Sequence, residues 1–206
     1  MCPSGGQIAV LDYGIGNLRS AERALAHVGA AARLVTDPDE VEGAAGVVLP
    51  GVGAFGPCAA ALERTGLGGA ARRAIDAGVP FLGICVGFQL LYEGSEEAPG
   101  EKGLGVLVGT VRRLPASVKV PQMQWNPLTR RRASEMLRGV GDAPWVYFVH
   151  SYAPEVGPET VASCDYGGAI AAASEQGTVW GTQFHPEKSG ATGLAILSNF
   201  VARCAA

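Results

Sequence analysis

The chain has 206 residues, 48% of them hydrophobic, and a formal net charge of −3. That is enough chain to bury a sizeable core, roughly 70% of the surface exposed on unfolding. Its near-balanced charge offers no basic stripe of the kind nucleic-acid binders carry, and no apolar run reaches the roughly 18 residues a membrane span needs.

The opening MCPSGGQIAV lacks a basic region followed by a long apolar one, so no signal peptide is expected. QIAVLDYG (7–14) is a short apolar run closed by glycine, which reads as a buried strand. NLRSAERALAHVG follows as a helix with Leu18, Ala21, Leu25 and Val28 on one face, Asn17 as cap and Gly29 as stop. AARLVT is a second strand, and Val47 to Leu49 a third, leading into the glycine-rich PGVGAFG. Pro57 suits the first turn of a helix running through Leu62. LGGAARRAIDAG reads as a helix and VPFLGIC as a fourth strand, with helical spacing from Val86 to Tyr92. Short alternation of strand and helix predicts a mostly parallel sheet covered on both faces.

The second half changes character. GLGVLVGTVRRL, WVYFVHSYA, ETVASCDYG, AIAAASEQ and GTVWGTQFH read as strands on tight turns, several antiparallel. TRRRASEML reads as a solvated loop or helix face. ATGLAILSNFVARCA is a closing helix with Leu194, Leu197, Val201 and Cys204 aligned. With no repeat or linker, one domain is expected over residues 1–206, its core from about 7 to 203. The five cysteines, Cys2, Cys58, Cys85, Cys164 and Cys204, form no CxxC pair. The odd count argues against a disulfide framework or a cysteine-rich metal site and for free thiols in a reducing cytoplasm.

Chemistry concentrates at Gly83-Ile84-Cys85-Val86-Gly87. An apolar strand meets a helix there with almost no connecting residues, which exposes the central side chain at the carboxyl edge of the sheet. The flanking glycines leave room for close backbone packing. This is the logic of a nucleophile elbow with cysteine in place of serine, and a helix N-terminus after it would favour the thiolate. The competing reading is an inert buried cysteine, and it is the one adopted for Cys58, Cys164 and Cys204.

A nucleophilic thiol needs a base, and there are three histidines. His27 reads as a surface residue and His150 ends a strand. His185, in GTQFHPEKS, is followed two residues later by Glu187, and Pro186 disfavours helix at His185. In an extended backbone the two side chains share a face, so the carboxylate can orient the imidazole.

PGVGAFG, GICVGFQLL, VHSY and QFHPEKS, in that order, resemble the class I (triad) glutamine amidotransferases. KVPQMQWN, DYGIGN and HPEKS are most similar to the glutaminase subunits of imidazole glycerol phosphate synthases. The resemblance covers essentially the whole chain and implies a flavodoxin-like α/β fold with added antiparallel strands. It implies that Cys85 attacks the amide of L-glutamine, that His185 relays protons and that Glu187 orients it. The oxyanion hole would come from backbone N–H groups at Val52 and Val86, and Gly51, Gly53, Gln89, Ser151 and Tyr152 would hold the substrate. No metal or cofactor is implied. The partner would be a (β/α)8-barrel synthase subunit docked through Asn17, Pro121, Trp125, Asn126 and Lys188. Gln122 and Gln124 depart from the family's commoner His and Gly, and Val86 and Phe88 from Leu and Met. Other readings open at this point are a glutaminase serving pyridoxal phosphate or purine synthesis, a catalytically silent scaffold, and a general cysteine hydrolase.

Overall fold

The computed structural model describes residues 6–206, so Cys2 lies outside the described residues. The first half alternates as β1 (Ile8–Leu11), α1 (Leu18–His27), β2 (Ala32–Val35), β3 (Gly46–Gly51), α2 (Phe55–Arg64), α3 (Leu67–Asp76) and β4 (Phe81–Cys85). β1, β3 and β4 are buried at every position, as a sheet covered on both faces requires. Asn17 precedes α1 as expected, but its side chain makes no capping bond; its carbonyl accepts from Ser20 and Ala21 instead. Gly29, at φ +93°, closes the helix, and the Ala30 N–H reaches back to the Leu25 carbonyl.

α4 spans only Val86–Gln89, not the longer helix that the spacing suggests. The carbonyls of Leu90, Leu91 and Tyr92 are taken by N–H groups of Leu104, Gly105, Val106 and Leu107 from a later loop, at 2.6–3.1 Å. A tertiary contact thus ends the helix. Beyond it come β5 (Gly94–Ser95), β6 (Thr110–Arg113), β7 (Gln122–Pro127), β8 (Thr129–Arg130), β9 (Trp145–His150), β10 (Tyr152–Pro154), β11 (Thr160–Asp165), β12 (Ala169–Gln176) and β13 (Val179–Thr182). A 3-10 turn (Pro186–Lys188) and α5 (Gly190–Cys204) complete the chain.

The main sheet has eight strands in the order β2-β1-β3-β4-β13-β12-β11-β8. Pairings from β2 through β13 are parallel, and the remaining three are antiparallel. The 2-1-3-4-then-next order is that of a flavodoxin-like doubly wound sheet. The crossovers through α1 and through α2–α3 run in opposite directions along it, so right-handed connections place them on opposite faces. α5 packs beside α1. β5, β6 and β10 form a small separate sheet, and β7 and β9 a two-stranded ribbon. β7 alternates in the inverted sense, with Met123 and Trp125 exposed and Gln122 buried, and it pairs with β9 from Gln122 opposite His150 to Pro127 opposite Trp145.

Two expectations need correction. The buried face of α5 is Gly193, Ile196, Leu197 and Phe200, rotated from the predicted stripe. A Cβ at Gly193 would overlap the Pro186 carbonyl oxygen, and Phe200 meets Trp180 at 5.8 Å between ring centroids. A glycine contact of this kind leaves no hydrophobic signal. The arginine run is not simply solvated either. Arg130 donates to the Leu137 carbonyl at 2.9 Å, Arg131 to Ser163 Oγ at 2.8 Å and Arg132 to the Glu159 carbonyl at 3.2 Å. It fastens the 131–141 loop to the antiparallel edge.

Candidate active site

β3, β4 and β13 are neighbours, and their carboxyl ends point the same way. Gly51 pairs with Cys85, and Thr182 with Ile84. Three segments distant in sequence therefore meet at one edge: the PGVG loop, the cysteine turn and the HPEKS turn. In a doubly wound sheet this carboxyl edge is where ligands bind.

Cys85 has φ +56° and ψ −112°, and it is the only non-glycine residue with positive φ among the described residues. Such a conformation costs about 1–3 kcal/mol and persists only where surrounding structure enforces it. The enforcement is visible. A Cβ at Gly83 would lie 2.7 Å from the Gly87 carbonyl oxygen, and one at Gly87 would overlap the Leu49 carbonyl oxygen. The two glycines let the turn fold back on β3 and β4, which aims Cys85 into the pocket. The helix N-terminus expected just after Cys85 is present, but α4 is a single turn and its dipole is correspondingly small.

The charge beside the thiol comes from His185. Its Nδ1 lies 2.7 Å from Glu187 Oε1, and both side chains are 2% exposed. Burial opposes a charge on the ring, but hydrogen bonds to Cys85 and Glu187, and their negative charge, outweigh it and raise the pKa to about 10. With Nδ1 held by the carboxylate, Nε2 is the nitrogen left for the sulfur. The geometry behind this pairing differs from expectation. His185 is extended, at φ −95° and ψ 100°, but Glu187 sits in the 3-10 turn, so a bend rather than a straight strand brings the two together. Ser189 Oγ donates to the His185 carbonyl at 2.6 Å and accepts the Tyr147 N–H at 3.0 Å, tying this turn to β9.

A pocket of about 390 Å³ opens over these groups. Cys85, His185, Val52, Gly53, Val86, Gln89, Ser151, Tyr152, Pro121 and Lys188 line it, all anticipated from sequence. Gly51 does not line it; it is packed beneath, where a Cβ would lie 2.6 Å from the Gly87 nitrogen. Gln89 Nε2 donates to the Tyr152 carbonyl at 2.9 Å and to Gln183 Oε1 at 3.0 Å. Both its amide protons are engaged, so only its Oε1 is left to meet a ligand. Gln183 in turn donates to Cys85 Sγ at 3.8 Å.

Gln183, Glu97 and His150 are site residues that sequence reasoning missed. Glu97 Oε2 accepts the Phe55 N–H at 2.8 Å at the start of α2 and lines the pocket. Nothing in SEEAPGEKG beyond its acidity marked it. His150 also lines the pocket, but its Nδ1 contacts the Tyr152 carbonyl at 2.9 Å, and burial pushes its pKa down to about 4. It lacks the carboxylate partner that His185 has. His27 is exposed on α1, as expected.

Of the residues expected to meet a partner, Pro121 and Lys188 line the pocket, Trp125 and Asn126 lie on the ribbon and Asn17 precedes α1. Trp125, on the ribbon, is 46% exposed and its ring lies 6.1 Å from that of Tyr147. Met123 and Trp145, 61% and 57% exposed, join it on the ribbon and were not anticipated. Asn126 donates to the Asp165 carbonyl at 3.4 Å. Asn17 lies at the start of α1, a helix that packs against the Pro186–Lys188 turn. Gln122 is buried and donates to Cys164 Sγ at 3.6 Å, while Gln124 is exposed and bonds Asn126. Among the described residues no cluster of His, Cys, Asp and Glu could hold a metal ion, and no helix is long and apolar enough to cross a membrane.

Comparison with known proteins agrees with this layout. The chain is 50% identical over 198 residues to imidazole glycerol phosphate synthase subunit HisH of Deinococcus radiodurans, covering 94% of this chain and 92% of that protein. It is 45% identical over 205 residues to the HisH subunit of Methanosarcina mazei, covering 96% and 99%. Among solved structures, a glutamine amidotransferase superposes with a TM-score of 0.77 at 22% identity, covering 97% of this chain and 99% of that one. PurLQS from Thermotoga maritima gives 0.76 at 20% identity, covering 96% and 98%. At those identities the structures speak for the fold. The family model for class-I glutamine amidotransferases matches residues 9–204, and the chain, with Cys85 at a strained strand end and His185 held by Glu187 just beyond the adjacent strand, belongs to that family.

Proposed function

We propose that this chain is the glutaminase subunit of imidazole glycerol phosphate synthase, acting as one domain and delivering ammonia to a (β/α)8-barrel partner. The observation that carries the chemistry is the His185 ring held at 2.7 Å by Glu187 in the pocket that Cys85 also lines. The high identity and coverage of HisH relatives support the choice of pathway.

Cys85 Sγ attacks the side-chain carbonyl carbon of glutamine, and the carbonyl oxygen becomes an oxyanion. Backbone N–H groups of Val52 and Val86 are the proposed donors to it. Preorganised donors of this kind contribute most where charge develops. His185 gives its Nε2 proton to the amide nitrogen, the C–N bond breaks, and ammonia leaves a thioester on Cys85. Water then attacks the thioester while His185 takes its proton, and glutamate departs with the thiol restored. Glu187 keeps the ring oriented throughout. The free Oε1 of Gln89 and the carboxylate of Glu97 suit the substrate ammonium. Ser151 and Tyr152 form the wall suited to its carboxylate.

The partner then joins the ammonia to a phosphorylated ribulosyl aminoimidazole-carboxamide nucleotide. The exposed ribbon carrying Trp125 and Asn126, with Pro121 and Lys188 at the pocket rim, is the proposed docking face. Asn17, which precedes the helix packed against the Pro186–Lys188 turn, is assigned to its margin. The test is coexpression with a barrel synthase and measurement of glutamate release by the chain alone, with partner, and with partner plus nucleotide. Stimulation by partner and nucleotide is expected. No glutamate under any condition would mean a silent scaffold, and equal rates under all three would mean that the partner does not control the site.

A further inference from the structure

The PGVG loop contains three successive peptide units, and the molecule treats them differently. The carbonyl of the first, Pro50, accepts the Tyr13 hydroxyl at 2.7 Å. The carbonyl of the third, Val52, accepts the Cys58 thiol at 3.3 Å. The middle unit carries the Val52 N–H, which makes no hydrogen bond among the described residues. The two glycines differ in the same sense. A Cβ at Gly51 would lie 2.9 Å from the Tyr13 hydroxyl, so that residue is wedged in place. Gly53, at φ +85°, has open space where a Cβ would stand.

We propose that Tyr13 and Cys58 are positioning residues for the oxyanion donor: they clamp the first and third peptide units, on either side of the middle unit that carries the Val52 N–H. This rests on the reading of Val52 N–H as an oxyanion donor. Tyr13 is 2% exposed and Cys58 fully buried, so neither donor competes with water for its carbonyl. Burial raises the pKa of both groups, which keeps their protons available for donation. Without the Cys58 clamp the Val52 carbonyl can swing toward the pocket and set a partial negative charge against the forming oxyanion. Without the Tyr13 clamp the Pro50 carbonyl loses its anchor at the end of β3. Each loss lowers the fraction of time in which the donor is aimed.

The test uses the complex with partner and nucleotide. Tyr13→Phe and Cys58→Ala each remove one donor with little change of shape. Each is expected to lower kcat about fivefold, the scale of one ordinary hydrogen bond, with KM for glutamine within about twofold of wild type. Cys58→Ser keeps a donor and should stay within about twofold in kcat. Wild-type kcat in either Tyr13→Phe or Cys58→Ala overturns the paired clamp. So does equal loss in the alanine and serine variants, or a loss that appears in KM or melting temperature with kcat unchanged. Val52→Pro tests the underlying reading separately, because it deletes the N–H itself. If it retains wild-type kcat, the donor assignment fails irrespective of the clamp.

Discussion

At the carboxyl edge of β3, β4 and β13, the side chains facing the pocket floor are buried and one backbone position is strained. On the β7–β9 ribbon beside it, Met123, Trp125 and Trp145 stand largely in solvent on a two-stranded element outside the main sheet. The edge holds its geometry by backbone contacts that only glycine permits, at Gly51, Gly83 and Gly87. The ribbon holds its geometry by one ladder of cross-strand pairs and leaves its aromatic faces open. The difference teaches that the edge is held by close backbone contacts around buried side chains, whereas the ribbon has apolar surface left to bury, which is why the docking face is proposed there. The two are joined at Tyr147, whose carbonyl accepts the His185 N–H at 3.1 Å and whose ring neighbours Trp125.

The comparison breaks most visibly if the edge is dispensable. Cys85→Ala is expected to lower glutamine hydrolysis by about 10⁴-fold or more, with partner binding intact. A diazo-ketone mimic of glutamine should label Cys85 and spare Cys58 and Cys164; labelling at either of those by mass spectrometry would refute the nucleophile. His185→Ala should approach the same loss, and Glu187→Gln should cost about 10²-fold, because the carboxylate orients the ring without moving protons itself. If His150→Ala silenced the enzyme while His185→Ala did not, the base would be the wrong histidine.

A smaller effect sharpens the other side. Trp125→Ala and Trp145→Ala, both on exposed positions, should leave the melting temperature of the isolated chain unchanged. Each should weaken partner affinity by about tenfold or more, as exposed tryptophans at interface centres do. Unchanged affinity in titration calorimetry would remove the ribbon from the docking face.

The smallest effect compares the two histidines that line the pocket. The pKa of His185 is raised from 6.5 to about 10, so its contribution to stability is full below about pH 6.5 and is lost as pH rises through about 10. That of His150 is lowered from 6.5 to about 4, so its contribution holds above about pH 6.5 and is lost as pH falls toward 4. The gap in melting temperature between wild type and His185→Asn should therefore narrow by about a few degrees in alkali. The gap for His150→Asn should narrow in acid. Parallel pH profiles for the two variants would contradict the two environments.

The amino-acid sequence by itself determined the alternation of β1 to β4 with their helices, because buried parallel strands such as β1, β3 and β4 are continuous apolar runs. It also marked Cys85 and the His185–Glu187 pair, because an elbow needs small residues at fixed offsets and HPE fixes a short local geometry. What it could not carry were relations between distant segments. The length of α4 depended on carbonyls captured by the 104–107 loop, and the pairing of β7 on β9, a separate segment of the chain. The true face of α5 depended on Gly193 resting against Pro186. Glu97, Gln183 and the clamp of Tyr13 and Cys58 on the PGVG loop arise only when separate chain segments are packed together. A periodic pattern reports which side of an element avoids water. It does not report which polar atom ends up 2.7 Å from another, because that distance is set by the packing of the whole sheet edge.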